Sequence, residues 1–240
     1  PTSIYEKGGD IYLTVPFQKQ MLSNDMAADV NVSRKEYTLK IRYYSPHILR
    51  LYTGLGEADW EEETEMLKMA SDVRKVPLTV SEDHGLWSVC DEDGQLRALI
   101  NLREPVLEHW SNLLPPPQET LDITFYPDTK KSVRLSAYDL PLAYCTKNGR
   151  KERATVSFEC LPDEAFAGTG ERFYKMDLSG HTFQLKNQDG QGVNNRRAYK
   201  NIPFYLSSRM YGVFYHTSSH CKLSLADHST RSVQFLNDQA

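Results

Sequence analysis

A chain of 240 residues, 40% apolar and 25% charged, has the composition of a folded globular protein. It excludes a disordered one, which combines low hydrophobicity with high net charge. The formal net charge is −4, and the basic pairs Arg34-Lys35, Lys130-Lys131 and Arg196-Arg197 are scattered. No nucleic-acid partner is expected, because phosphate backbones are held by grouped Lys and Arg.

In chain order the pattern is one of short β-type runs. Ile11 to Val15 is apolar and β-branched, and Tyr37 to Tyr43 alternates apolar and polar with period two. After a break at Ser45-Pro46 the extended pattern resumes over Ile48 to Tyr52. Glu57 to Met69 is acidic with a thin apolar stripe of Trp60, Met66 and Leu67, and reads as a short helix or an acidic loop. Strand-like runs then recur at 78–80, 86–89, 98–100, 121–126, 133–135 and 154–158. The C-terminal part adds 204–206, 211–215 and 232–235. Asp93-Gly94 and Asn148-Gly149 are hairpin signals, because these residue types tolerate positive φ. Pro115-Pro116-Pro117 marks a stiff surface loop. Many short strands between regular turns predict an all-β fold, an antiparallel β-sandwich or barrel with little helix.

No apolar run approaches the ~20 residues of a membrane-crossing helix, and no signal peptide is expected within these residues, so no membrane partner is expected. The four cysteines, Cys90, Cys145, Cys160 and Cys221, have no metal-ligand spacing. They read as buried free thiols, which leans towards a reducing, cytoplasmic compartment.

The residues richest in chemistry lie between Gly168 and Arg231. The stretch 187–195 is Asn-Gln-Asp-Gly-Gln-Gly-Val-Asn-Asn. It holds many neutral donors and acceptors and one carboxylate. That inventory suits a sugar, and equally a solvated surface loop. Gly168-Thr169-Gly170 is no phosphate loop, since neither Lys-Ser/Thr nor a G-x-G-x-x-G spacing follows. Glu171 and Arg172 are adjacent, so in a strand they face opposite ways, and each is expected to satisfy buried polar groups. His216, His220 and His228 lie near Cys221 and Asp227. In a strand-and-turn segment they share no face, and no metal or other cofactor is expected. Ser218-Ser219-His220 carries no nucleophile elbow. Trp60, Trp87 and Trp110 are read as packing residues.

Four motifs stand in order from Gly168: Gly168-Thr169-Gly170-Glu171-Arg172-Phe173, then Asn187-x-Asp189-Gly190, then Ala198-Tyr199-Lys200-Asn201-Ile202-Pro203-Phe204-Tyr205-Leu206-Ser207, and Tyr211-Gly212-Val213-Phe214. In this order and spacing they closely resemble the end of the N-terminal domain of glycoside hydrolase family 31, in its α-xylosidase and α-glucosidase branches. The first 160 residues resemble the family only in general character.

The resemblance implies a galactose mutarotase-like β-sandwich (a supersandwich) over residues 1–240 as one domain. In the family this domain precedes a (β/α)8 barrel that cleaves α-glycosidic bonds with retention. Both catalytic aspartates belong to the barrel, so no catalytic residue is expected in this chain. It opens at Pro1 and stops at Ala240, where the barrel would still lie ahead. The fragment is expected to be inactive alone.

By position, the family's N-x-D loop makes Asp189 the residue expected to meet the sugar, with Asn187 and Gln188 beside it. Lys186 stands where the family often has Trp, which removes a stacking ring. The expected partners are an α-glycoside together with the barrel, and a homo-oligomer is allowed. The competing readings are a stand-alone carbohydrate-binding module and a sugar mutarotase-like protein, whose chemistry would need a positioned acid and base.

Overall fold

A computed structural model describes residues 3–18, 34–45, 47–54, 67–68, 73–103, 120–128, 131–135, 142–147, 150–189 and 197–237. Among them there are strands and no helix, and the strands pair antiparallel. The chain forms two compact units. The first comprises Pro1–Thr120 and Phe125–Lys130, the second Leu121–Thr124 and Lys131–Ala240.

In the first unit, β1 (Ser3–Lys7), β2 (Asp10–Gln18), β3 (Arg34–Ser45) and β4 (Ile48–Gly54) form a sheet in that order. The period-two pattern decides its faces. Ile11, Leu13, Leu39, Ile41 and Tyr43 are fully buried on one side. On the other side of β3, Lys40 places its ammonium 3.9 Å from the Tyr52 ring centroid, and Arg42 donates to Asp10 at 2.7 Å. Burying each of the large apolar side chains contributes about 1.5–3 kcal/mol.

In a second sheet β5 (Leu78–Asp83), β6 (Leu86–Asp91) and β7 (Leu96–Arg103) pair in that order, and β8 (Thr120–Asp128) and β9 (Lys131–Arg134) follow in the chain. Residues 121–124 of β8, and β9, belong to the second unit. The buried Tyr43 hydroxyl donates to the Arg97 carbonyl at 2.8 Å, so β3 is tied to β7 within the first unit. The Asp93-Gly94 signal lies between β6 and β7, where Gly94 has φ +73° and donates to the Asp91 carbonyl at 3.0 Å.

In the second unit, a five-stranded sheet has the order β10 (Leu142–Lys147), β11 (Arg150–Glu159), β17 (Ser232–Asn237), β16 (Cys221–Ser229), β13 (His181–Leu185). A three-stranded sheet has the order β12 (Phe166–Glu171), β14 (Lys200–Ser207), β15 (Tyr211–Phe214). Rings join the two. Tyr205 of β14 stacks on Phe235 of β17 with centroids 5.9 Å apart, and meets Phe166 edge-on at 5.6 Å. Leu223, Leu225, Val233, Phe183 and Phe235 are fully buried in the same core.

A buried acid closes one end of that core. Glu164 accepts from the hydroxyls of Ser207 and Tyr211 and from the Leu161 amide, and has an Arg209 guanidinium nitrogen 4.0 Å away. This carboxylate holds the turn before β12 to β14 and β15.

The acidic segment 57–66, Met69, the Pro115–Pro117 run, Asn148-Gly149, Trp60 and Trp110 lie outside the described residues. Trp87 sits in β6, half-buried and opposite Ile100. Cys90, Cys160 and Cys221 are free thiols. Burial, with Glu164 and Glu159 nearby, pushes Cys160 up to about 11. At pH 8 only about one Cys160 in a thousand would be thiolate, the reactive form. Thiol-reagent labelling of the native chain should therefore leave Cys160 unmodified until denaturant is added. Labelling of Cys160 at the rate of an exposed thiol in native buffer would contradict this.

Candidate functional site

The site is organised by a break in the pairing of β12 with β14. Gly168 opposes Tyr205 and Gly170 opposes Asn201, so one residue on β12 faces three on β14. Gly168, Thr169 and Gly170 all have positive φ, at +116°, +68° and +93°. Glycine is needed at position 170 for a second reason. A Cβ there would lie 2.1 Å from the Lys200 carbonyl oxygen and 3.0 Å from the Ile202 nitrogen. Pro203 falls inside the unpaired stretch of β14, where its missing N–H costs no ladder bond.

The sharp turn through Thr169, itself fully buried, delivers Arg172. Arg172 Nε donates to Thr169 Oγ1 at 3.2 Å, and Nη2 donates to Asn201 Oδ1 at 2.6 Å. The guanidinium carbon lies 4.6 Å from the centroid of the Phe183 ring on β13. Burial pulls its pKa below the usual guanidinium value. That value is high enough that the charge persists at neutral pH.

Asn201 passes the order on. Its backbone N–H and its Nδ2 donate to Asn187 Oδ1, at 2.8 and 3.1 Å, and Nδ2 also donates to the Ala198 carbonyl at 3.0 Å. The Gln188 N–H donates to the same carbonyl at 3.0 Å, and Asn187 and Ala198 form an isolated parallel bridge. The two roots of the amide-rich loop, at 187–188 and 198–201, are thereby joined. Residues 190–196 of the loop lie outside the described residues.

Of the sequence candidates, Asn187, Gln188 and Asp189 are consecutive and exposed. The carboxamide oxygen of Asn187 is committed to Asn201, whereas Gln188 is held by its backbone. Asp189 makes no hydrogen bond or ion pair among the described residues. Lys186, just before the loop, is exposed.

Glu171 differs from its sequence reading. It is exposed and pairs with exposed Lys200 across the strands at 3.1 Å, rather than serving a buried group. Such a pair contributes little to stability, because water competes for both charges. The histidines separate. His216 stacks on Phe214 with centroids 5.9 Å apart, His228 donates its backbone N–H to Ser224 Oγ at 3.0 Å, and Asp227 accepts from the Thr182 hydroxyl at 2.7 Å. Among the described residues no three His, Cys, Asp or Glu side chains come together as a metal site.

Sequence reasoning did not connect Arg172, Asn201 and Asn187. The signal was present. A half-buried guanidinium needs acceptors, and each of the next two motifs supplies an amide side chain.

Residues 38–223 match the model of the glycosyl hydrolase 31 N-terminal galactose mutarotase-like domain. The chain belongs to that family. The α-xylosidase XylQ of Lactiplantibacillus pentosus is 42% identical to it over 73 residues, which is 30% of this chain and 9% of that protein. An α-xylosidase of Emericella nidulans is 41% identical over 70 residues, 29% of this chain and 9% of that protein. Among solved structures, the cycloalternan-forming enzyme of Listeria monocytogenes superposes with a TM-score of 0.68 at 17% identity, covering 99% of this chain and 19% of that one. At that identity the likeness shows the fold alone. The all-β antiparallel class predicted from the strand pattern, and the β-sandwich that the family resemblance implied, agree with the fold observed. The chain thus matches only a small part of the length of these proteins. Among the described residues no helix is long and apolar enough to cross a membrane.

Proposed function

We propose that this chain is the N-terminal, non-catalytic domain of a retaining α-glycosidase acting on α-xylosidic or α-glucosidic bonds, with both units in one domain over residues 1–240. In this reading it lends the loop at 187–189 to a sugar pocket completed by a catalytic barrel. The observation that carries it is the exposed Asp189 carboxylate, without a protein partner among the described residues, on a loop root tied down on both sides. A carboxylate held that way accepts hydrogen bonds from sugar hydroxyls without first giving up an ion pair. The α-xylosidase relatives support the substrate class. Retaining hydrolysis takes two carboxyl groups roughly 5–5.5 Å apart across the scissile bond, and the barrel would supply them.

The outward face of the three-stranded sheet supports the same reading. Ile202, Leu206 and Phe214 are exposed there, and Met176 is exposed beside them, lining a small groove with Leu206. Apolar side chains grouped at the surface mark a face that packs on something. The catalytic barrel is the partner in this reading, and the same face would allow a homo-oligomer when it is uncovered. The free thiols favour a reducing compartment such as the cytoplasm.

Hydrolysis of nitrophenyl α-xyloside and α-glucoside by this chain and by the full-length enzyme tests the reading. Turnover is expected from the full-length enzyme alone. Asp189→Asn there should raise KM about tenfold or more, the cost of one or two charge-assisted hydrogen bonds. Hydrolysis or anomer exchange by the 240-residue chain itself would overturn it, as would an Asp189→Asn enzyme with unchanged KM.

A further inference from the structure

We infer that Arg172 and Asn201 are positioning residues that set the sugar-facing loop, an inference resting on the reading of Asp189 given above. The geometry is an unbroken run of directional contacts from the core to the loop root. The Phe183 ring lies under the Arg172 guanidinium at 4.6 Å, and Phe183 itself is fully buried. Arg172 donates to Asn201 Oδ1 at 2.6 Å, the shortest contact of the run. Asn201 then donates through its backbone and its side chain to Asn187 Oδ1, and through Nδ2 to the Ala198 carbonyl. Asp189 is two residues beyond Asn187, and the intervening Gln188 amide is bonded to Ala198.

The order of polarity along this run makes it directional. Arg172 can only donate, so it fixes which end of the Asn201 carboxamide is oxygen. With the oxygen turned to Arg172, the NH2 group must face Asn187 Oδ1 and the Ala198 carbonyl. Both ends of the Asn201 amide are then committed, and a flip would set oxygen against oxygen at Asn187. Without the guanidinium, that orientation loses its determinant. Asn187 would lose part of its hold, and the loop root would sample other placements. A group held a few tenths of an ångström from its productive position binds more weakly even when every residue that touches substrate is present.

Arg172 is fixed in turn by the Gly168-Thr169-Gly170 turn. Thr169 Oγ1 receives Nε only because the backbone takes three positive φ values in succession. The first three motifs are therefore one device. The glycines bring β12 against β14, the arginine orients the asparagine, and the asparagine holds the loop.

A purely structural role predicts something different. Substitution would lower stability while leaving the KM of the folded enzyme alone. The test uses two substitutions, Arg172→Met and Asn201→Ser, so that poor folding of one leaves the other. Each is made in the full-length enzyme, with and without Asp189→Asn. KM and kcat are measured on whichever nitrophenyl α-glycoside, xyloside or glucoside, the enzyme turns over. In the 240-residue chain, amide hydrogen exchange is followed at Gln188 and Asn201, with Leu223 as an internal control.

Each single substitution should raise KM about tenfold, the effect of losing one charge-assisted contact, with kcat within about twofold. In the Asp189→Asn background the same substitutions should change KM by less than about twofold, because the carboxylate through which they act is gone. Exchange at Gln188 should speed at least roughly tenfold while Leu223 is unchanged. Unchanged KM and unchanged Gln188 exchange, with Asp189→Asn still raising KM, would overturn the positioning role and leave the reading of Asp189 intact. Equal effects in both backgrounds would overturn it as well. An Asp189→Asn enzyme indistinguishable from the parent would remove the reading on which the inference rests.

Discussion

Gly170→Ala is expected to cost the second unit on the order of 4 kcal/mol, a large share of the stability of a domain this size. Two effects add. An L-residue held at φ +93° pays about 1–2 kcal/mol for the left-handed backbone. The new methyl would also overlap a carbonyl oxygen at 2.1 Å, and the obstacle is backbone, which cannot rotate aside as a side chain can. β12 would have to part from β14, straining or breaking pairings at Gly170–Asn201 and Glu171–Lys200. Overpacking of this kind costs about 1–3 kcal/mol or more, against a total stability of roughly 5–15 kcal/mol. Gly180→Ala is the control. Gly180 has φ +70° but nothing within 4 Å of the added Cβ, so only the backbone cost of about 1–2 kcal/mol applies. Urea unfolding of both variants measures the difference. A Gly170→Ala chain within 1 kcal/mol of Gly180→Ala would show that the two strands separate easily, and would weaken the account of the turn. It would also weaken the positioning of Arg172, which depends on that turn.

The strands were legible where period-two alternation coincides with one-sided burial, as in β3, where Leu39, Ile41 and Tyr43 face in and Lys40 and Arg42 face the other way. They were hidden where that signal is diluted. β12 is absent from the strand-like runs because two of its six residues are glycines required by the close approach to β14. β16 reads as strand and turn because its polar end, Asp227-His228-Ser229, follows the buried run Leu223-Ser224-Leu225, with a pairing irregularity between 225 and 229. β10 carries Tyr144-Cys145-Thr146 in an otherwise unremarkable stretch, and its pairing with β11 is a long-range fact that no local pattern states. The candidate site divides in the same way. Asn187, Gln188 and Asp189 were named from motif order, and the structure places the three consecutively at an exposed loop root. Arg172 and Asn201 could not be joined, because they are 29 residues apart and meet only when the break in the ladder brings β12 and β14 together. Glu171 was misassigned for a related reason. Adjacency in sequence says that two residues point apart, and does not say which of them points inward.

Asp91→Ala is expected to destabilise the first unit by about 3–5 kcal/mol, the range for removing one partner of a buried ion pair. Asp91 and Arg97 are each only 4% exposed at the side chain, and the guanidinium meets Asp91 Oδ2 at 2.6–2.7 Å. The same carboxylate accepts the Asp93 and Gln95 amides through Oδ1, at 3.1 and 2.9 Å. One residue thus closes the β6–β7 hairpin and neutralises a buried cation, whose own carbonyl receives Tyr43. Asp91→Asn separates these roles. It can keep an acceptor for the two turn amides while removing the negative charge opposite Arg97, so it should cost less than Asp91→Ala and still be clearly destabilising. A companion Arg97→Met in the Asp91→Ala background should recover part of the loss, since the buried charge goes with its partner. The pair also fixes an acid limb. Burial alone would raise the Asp91 carboxyl, but the Gln95 amide and the Arg97 guanidinium outweigh it and hold it below the usual value. A carboxyl depressed in the folded state contributes stability that is full above its unfolded pKa, near 3.9. That contribution fades as pH falls through the lower, folded value. The parent chain should therefore lose stability below about pH 4, and Asp91→Asn should flatten that limb while lying below the parent at pH 7. Parallel limbs for the two proteins in urea melts from pH 2.5 to 7 would mean that Asp10, held down in the same way by Arg42 and Lys75, carries the acid sensitivity instead.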